Sequence, residues 1–410
     1  MSRMTTRFMR SALIGSLCLL LGACFHIQLN GSVGGGTLTI APLRSPEDIL
    51  GSAVSLTPQN WLATWGQEKF DSHDALTNLI FVGITNLKPE GLEPDALYLV
   101  TASGGQDYDP NLEFGLSDSP VPVQGSWHTI ATGQRILDGN LKVSTLTEAL
   151  YRQVEARLGQ WSDAQVLARL NASAQLVVAD VDESGLVDYD DVLRWNRTLD
   201  GDLYLGKLAS LRALSNAIAA GQPASMITAK ARNVLGKHRV VLKFDVGTVV
   251  VKTLNWEAPI TVANFLGYVR SGFYDQMLVH RAIDNFMIQM GLVAVLGTDD
   301  NGQIQWETKT PGASIVNESS NGVSNTRGAL SMARTSNPDS ATAQFFINQV
   351  NNTFLDNGSS GNPDGYAVFA RVVSGLSVVD DIAAEPTTSV PGIGNDVPAR
   401  GVVLESVVLR

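Results

Sequence analysis

The sequence predicts a multidomain chain. A small β-sandwich-like region covers 37–139, a helical region 140–220 and a β-dominated region 238–410. Three observations predict this. The chain has 410 residues, against roughly 100–200 per domain. It is 44% hydrophobic and 17% charged, a balance that buries cores rather than leaving the chain disordered. The patterning also changes twice, from short β-rich runs between turns, to apolar residues at helical spacing, and back to β-rich runs.

The first element is a leader, 1–23. Arg3, Arg7 and Arg10 form a basic start, and Ser11 to Leu21 an apolar run shorter than the ~20 residues of a membrane span. Leu21-Gly22-Ala23-Cys24 then resembles the bacterial lipoprotein signal, which implies cleavage before Cys24 and its lipidation. Removing three arginines and no acids would take the net charge from −11 to −14. Phe25 rather than Asp follows the cysteine, which resembles the outer-membrane sorting pattern, so the expected location is the bacterial outer membrane, facing the periplasm. Residues 24–36 end in the glycine-rich run 30–36 and read as a flexible tether.

Strand-like runs follow at Thr37 to Ile40, Leu79 to Val82 and Ala96 to Thr101, separated by Pro42, Pro89-Glu90-Gly91 and Gly104-Gly105. The helical region opens at Thr145-Leu146-Thr147-Glu148, read as a capping box, with Leu146, Leu150, Val154 and Leu158 on one face. Ser162 to Gln165 caps a second helix, and a third runs from about Tyr204 to Ala220. Residues 221–237, with Gly, Pro, Ser and Lys, read as a linker. Beyond it, Val240 to Asp245 and Thr248 to Leu254 read as a hairpin turning at Val246-Gly247. Thr261 is expected to N-cap a helix carrying Val262, Phe265, Leu266 and Val269, closed by Gly272.

The acidic surface argues against sequence-independent binding of nucleic acid, which needs cations against phosphates. The two cysteines, Cys18 and Cys24, lie in the first 24 residues. The body therefore has no disulfide framework, cysteine–zinc site or cysteine nucleophile. No complete phosphate-loop motif ending in Gly-Lys-Ser/Thr, and no dinucleotide-binding or nucleophile-elbow motif, is present.

One metal motif is present. Asp180, Asp182, Ser184, Asp188 and Asp191 stand at positions 1, 3, 5, 9 and 12 of an EF-hand-like loop, with Gly185 at the sharp turn and the Leu186 carbonyl at position 7. Asp rather than Glu at position 12 resembles dockerin loops. A structural Ca²⁺ in the loop 180–191 is the expectation. The plain alternative is a solvated acidic turn before a helix.

Chemistry concentrates in 238–410. The runs, in order, are Ala258 to Phe265, Ser271 to Asp275, His280-Arg281-Ala282-Ile283-Asp284-Asn285-Phe286-Met287-Ile288-Gln289, Asn317-Glu318, Asn325 to Gly328, Ser331 to Thr335, Asp339 to Asn348, Phe354-Leu355-Asp356 and Gly365 to Phe369. Together they resemble the cyclophilin-type peptidyl-prolyl cis-trans isomerases (EC 5.2.1.8), most closely the bacterial periplasmic kind. The resemblance implies a closed antiparallel barrel of eight strands capped by two helices. It also implies rotation about X–Pro peptide bonds in exported or unfolded polypeptides, without a cofactor. The barrier to that rotation is about 18–20 kcal/mol. Twisting the amide exposes the prolyl nitrogen lone pair, so a donor aimed there favours the twisted state over both planar ones.

By the same resemblance Arg281 is that donor. Phe286, Met287, Phe346 and Leu355 form the proline pocket, with Phe354 and Tyr366 in its wall. Gln289 and Gln344 hold the substrate backbone, and Ala333 and Arg334 line the groove before the proline. Asp284-Asn285 stands where the family has Pro-Gly, and Gln289-Met290-Gly291 where it has Gln-Gly-Gly. Asn tolerates positive φ next best to Gly, and Met290 is expected to shift Gln289. The competing reading is a membrane-anchored module that binds proline segments without turning them over. A third makes the N-terminal region a cell-envelope interaction module.

Overall fold

Alternation of buried and exposed residues sets the first hairpin of the C-terminal unit. Val240, Leu242 and Phe244 of β1 (Arg239–Phe244) and Val249, Val251 and Thr253 of β2 (Gly247–Thr253) point inward, as a half-buried antiparallel pair requires. The computed structural model describes residues 36–43, 54–55, 62–63, 81–84, 92–104, 106–108, 120–122, 124–138, 141–178, 184, 186–194, 201–298 and 304–410. Two compact units divide the chain. One holds 160–178, 187–189 and 235–410, and the other holds the described residues of 1–159, 179–186 and 190–234.

The first unit contains helix α1 (Asp163–Gln175), then β1 and β2, helix α2 (Pro259–Arg270) and strands β3 (Met277–Leu278), β4 (Arg281–Ile283), β5 (Met287–Met290), β6 (Val293–Thr298), β7 (Ile304–Thr308), β8 (Ala329–Met332), β9 (Phe345–Asn348) and β10 (Val368–Ser374). Helix α3 (Leu376–Ala383), the hairpin β11 (Thr387–Val390) and β12 (Gly394–Pro398), and β13 (Val403–Leu409) complete it. Eleven strands make one sheet in the order β4-β5-β9-β8-β10-β2-β1-β13-β3-β6-β7, and every pairing is antiparallel.

The two helices expected beside the sheet are present as α2 and α3, but the expected closed eight-stranded barrel is not. The end strands β4 and β7 do not pair. Instead β4 lies beside β12 of the small hairpin, which covers its free edge without a ladder; covering is another way of managing an open edge. Phe265 of α2 anchors the core, with ring centroids 5.4 Å from Tyr274, 5.5 Å from Phe345 and 5.0 Å from Phe369. All four side chains are buried, and the Tyr274 hydroxyl donates to the Ala343 carbonyl at 2.8 Å.

Two caps differ from expectation. Thr261 is not the N-cap of α2; Ala258 is, and it offers no side-chain bond. Pro259 opens the helix, which leaves Thr261 in its first turn, where its N–H and hydroxyl both donate to Glu318. Ser162 does cap α1, and Gln165 reciprocates.

In the other unit, strands Val54–Ser55, Gly36–Pro42, Leu97–Gly104 and Ser126–Thr132 form an antiparallel sheet in that order, and Leu62–Ala63, Phe81–Ile84 and Leu141–Ser144 form a second. The capping box sits one residue earlier than expected. Ser144 accepts from the Thr147 N–H, and Thr147 accepts from the Ser144 N–H at 2.8 Å. Glu148 therefore does not close the box. Its buried carboxylate accepts from the His128 N–H at 2.7 Å and pairs with Arg152 at 2.6 Å. The expected linker 221–237 carries a helix over Ala224–Leu235. Ile227, Ala231, Val234 and Leu235 are buried at helical spacing, and Pro223 just precedes its first turn.

Candidate active site

Register builds the site. Across the β4–β5–β9–β8 ladders, Arg281 faces Gln289, Gln289 faces Phe346, and Phe346 faces Ser331. Directly paired residues share a face, so these four side chains form one row. Met287, two residues before Gln289, shares that face. Met287, Phe346 and Leu355 form a buried apolar floor, with Phe286, Ile283, Ala333 and Tyr366 packed against it.

A pocket of about 240 Å³ opens over this floor, lined by Arg281, Phe286, Met287, Gln289, Ala333, Arg334, Phe346, Leu355 and Tyr366. Nine of the eleven expected groove residues thus line one cavity. The other two flank it: Gln344 accepts from the Gln289 amide at 3.1 Å, and Phe354, 56% exposed, lies over Phe286 with centroids 5.8 Å apart. The Tyr366 ring meets Phe346 edge-on at 5.7 Å.

The two arginines differ in what they have left to give. Arg334 donates to the Gly365 carbonyl and the Asn362 side chain, both at 2.9 Å, and to the Thr335 carbonyl at 2.8 Å, and its guanidinium lies 4.6 Å from the Tyr366 ring centre. It is a fixed wall. Among the described residues Arg281 has one weak ion-pair partner, Asp396, whose carboxylate is 3.5 Å from Nε, and both side chains are about two-fifths exposed. Its Nη groups are not bonded by these residues and remain open to a ligand, with Phe286 5.9 Å below. Asp396 was not legible in the sequence: it reaches Arg281 from β12, 115 residues along the chain. His280, beside Arg281, is held neutral. Burial first, and then the Arg281 charge, push its pKa down to about 4, against hydrogen bonds to Gln344 and the Leu278 backbone.

The departures in the motif have separate outcomes. Asn285 adopts φ 58°, the glycine-like backbone expected there. Met290 is a buried strand residue paired with Phe345, and Gln289 beside it still lines the pocket. It is Gly291 that needs glycine: at φ 98°, a Cβ would fall 2.7 Å from the Ala343 carbonyl oxygen.

The profile of the family described as cyclophilin type peptidyl-prolyl cis-trans isomerase/CLD matches residues 239–409. A peptidyl-prolyl cis-trans isomerase of Acinetobacter baylyi is 44% identical over 176 residues, which span 43% of this chain and 87% of that protein. The chain belongs to this family. Peptidyl-prolyl cis-trans isomerase B of Escherichia coli is 49% identical over 40% of this chain and 94% of its own length. Isomerase cyp18 of Streptomyces antibioticus is 47% identical over 41% and 95%. The C-terminal unit therefore carries a cyclophilin-type isomerase domain, and the chain is a peptidyl-prolyl cis-trans isomerase.

Two other sequence-derived sites fall wholly or partly elsewhere. Cys24, Asp180 and Asp182 lie outside the described residues. Of the remaining loop positions, the Ser184 hydroxyl donates to the Leu186 carbonyl at 3.0 Å, Leu186 is exposed and Asp191 is buried. No cluster of three or more metal-ligating side chains occurs among the described residues.

Proposed function

We propose that the pocket receives the proline ring of an X–Pro segment and that Arg281 lowers the barrier to rotation about the preceding amide. The observation that supports this reading is a guanidinium with uncommitted N–H groups at the mouth of an apolar pocket. Phe286, Met287, Phe346 and Leu355 hold the ring by burial. Gln289 offers its amide to the substrate backbone. Ala333 and Arg334 flank the residues before the proline. As the amide twists, conjugation is lost and the prolyl nitrogen gains a lone pair. A charged donor there stabilises the twisted state more than either planar state. The reaction breaks no σ bond and moves no proton, so positioning and one directed donor suffice. Exchange spectroscopy of a Pro-containing peptide with the full chain tests this. Accelerated cis–trans exchange supports an enzyme, whereas peptide binding without acceleration leaves only a binding module.

The substrates in this reading are exported or unfolded polypeptides at the cell envelope. The chain would be held at the outer membrane by lipid on Cys24, which fatty-acid labelling tests: loss of label in Cys24→Ala is the expected result. The loop 180–191 would take Ca²⁺ through Asp180, Asp182, Ser184, Asp188, Asp191 and the Leu186 carbonyl. The supporting spacing is tested by calcium titration of the full chain against Asp180→Ala with Asp182→Ala.

A further inference from the structure

Helix α1 lies in the same compact unit as the isomerase strands, yet outside the residues that match the family. The family match begins at residue 239, so α1 comes from beyond the shared domain. Its buried face, with Val166, Arg169, Leu170 and Ser173, packs on α2. Arg169 is almost wholly buried. The Trp161 ring lies 3.8 Å from its guanidinium, Nη1 donates to the Gln165 carbonyl at 3.2 Å, and Nε is 3.9 Å from the Glu318 carboxylate.

Glu318 is itself buried. One oxygen accepts from the N–H and hydroxyl of Thr261, each at 2.8 Å. This carboxylate thus caps α2, whose own N-cap supplies no side-chain bond, and an anion there is favoured by the helix dipole. The other oxygen has no hydrogen-bond partner and faces Arg169. A buried carboxylate without a nearby cation is costly; burial pushes the Glu318 pKa up, while Arg169 and the Thr261 bonds pull it down.

The residues flanking Glu318 reach the groove. Asn317 donates to the Asp364 carbonyl at 2.8 Å, and the Ser319 hydroxyl donates to the same oxygen. That turn is tight: Gly365 has φ 54°, and a Cβ on it would lie 2.4 Å from the Asn357 nitrogen. Arg334 donates to the Gly365 carbonyl and lies over Tyr366, and both side chains line the pocket.

We propose that Arg169 is a positioning residue for the isomerase groove. By holding Glu318 it fixes the 364–366 turn, and with it the Arg334 and Tyr366 wall that receives the residues before the proline. The working isomerase unit therefore begins near residue 160 rather than at 239. The inference rests on the reading of this pocket as the X–Pro site.

The test uses the full chain with the substitutions Arg169→Met, Arg169→Lys, Glu318→Gln and Arg169→Met combined with Glu318→Gln. Steady-state isomerisation is measured on an Ala-Pro dipeptide and on a peptide with three residues before the proline. In Arg169→Met, KM for the longer peptide should rise about three- to ten-fold, with kcat within about two-fold. KM for the dipeptide should stay unchanged. Arg169→Lys, which keeps the charge, and the double variant, in which a neutral amide needs no counter-charge, should restore KM to within about two-fold. Should Arg169→Met not fold, Glu318→Gln, which removes the charge that the arginine faces, is read by the same criteria. An unchanged KM for the longer peptide, or equal rises for both peptides, overturns the proposal. A wild-type chain that accelerates neither peptide overturns the groove reading instead.

Discussion

Lowering the pH from 7.5 to 5 isolates the neutral state of His280. Its folded pKa is about 4 against an ordinary 6.5, because it is buried beside the Arg281 charge. Between those values the unfolded chain binds the proton and the folded chain does not, so stability rises with pH through this window and is flat above it. Conversely, acidification from above 6.5 removes stability until the folded pKa is passed. The two pKa values put the loss at about 2 kcal/mol by pH 5 and about 3 kcal/mol by pH 4. The assay is urea unfolding of the full chain at pH 7.5 and 5, followed by isomerase activity, for wild type and His280→Gln. Every other ionisable group, Glu318 included, is common to both proteins, so the difference between the two pH effects belongs to His280. The wild type should lose about 2 kcal/mol more than His280→Gln on going to pH 5. Equal losses would mean that His280 is not held neutral by its surroundings.

Other consequences are smaller or lie elsewhere. Asn285, at φ 58°, should tolerate Gly with little change, whereas Asn285→Val should cost on the order of 1–2 kcal/mol, read as a shift in the urea midpoint of the isomerase. Asp396→Ala should change the isomerisation rate less than about five-fold, because a half-exposed pair at 3.5 Å is worth only about 0–1 kcal/mol. A larger loss would place Asp396 within the catalytic machinery. In the other unit, Glu148→Leu leaves Arg152 paired with Glu155 alone and takes the acceptor from the His128 N–H, which should cost about 1–3 kcal/mol, seen by chemical denaturation followed by far-UV circular dichroism.

What the sequence showed was mostly local, or carried by ordered motifs. The hairpin over 239–253 and the Ser162 cap follow from patterns a few residues long, and both are present. The groove residues were assembled by resemblance, and nine of them line one cavity. What escaped was set by partners distant in sequence. Thr261 carries cap-type chemistry, but Pro259 starts the helix before it and Glu318 takes its donors from 57 residues away. Asp396 and Arg169 have no motif around them and gain meaning only beside Arg281 and Glu318. The 224–235 helix was hidden by the Gly and Pro preceding it, although its apolar residues do recur at helical spacing. Closure of the sheet was expected from the family, but β4, three residues long, meets β12 rather than the strand at the other end of the order.

The most direct measurement is the exchange rate of a bound X–Pro peptide in full-length Arg281→Ala, set beside its dissociation constant. Loss of a directed donor should lower the rate about 10²–10³-fold. Peptide affinity should stay within a few-fold, since the apolar floor of Met287, Phe346 and Leu355 is untouched, and the far-UV spectrum should be unchanged. A folded Arg281→Ala chain that binds the peptide and exchanges it at the wild-type rate would contradict the account.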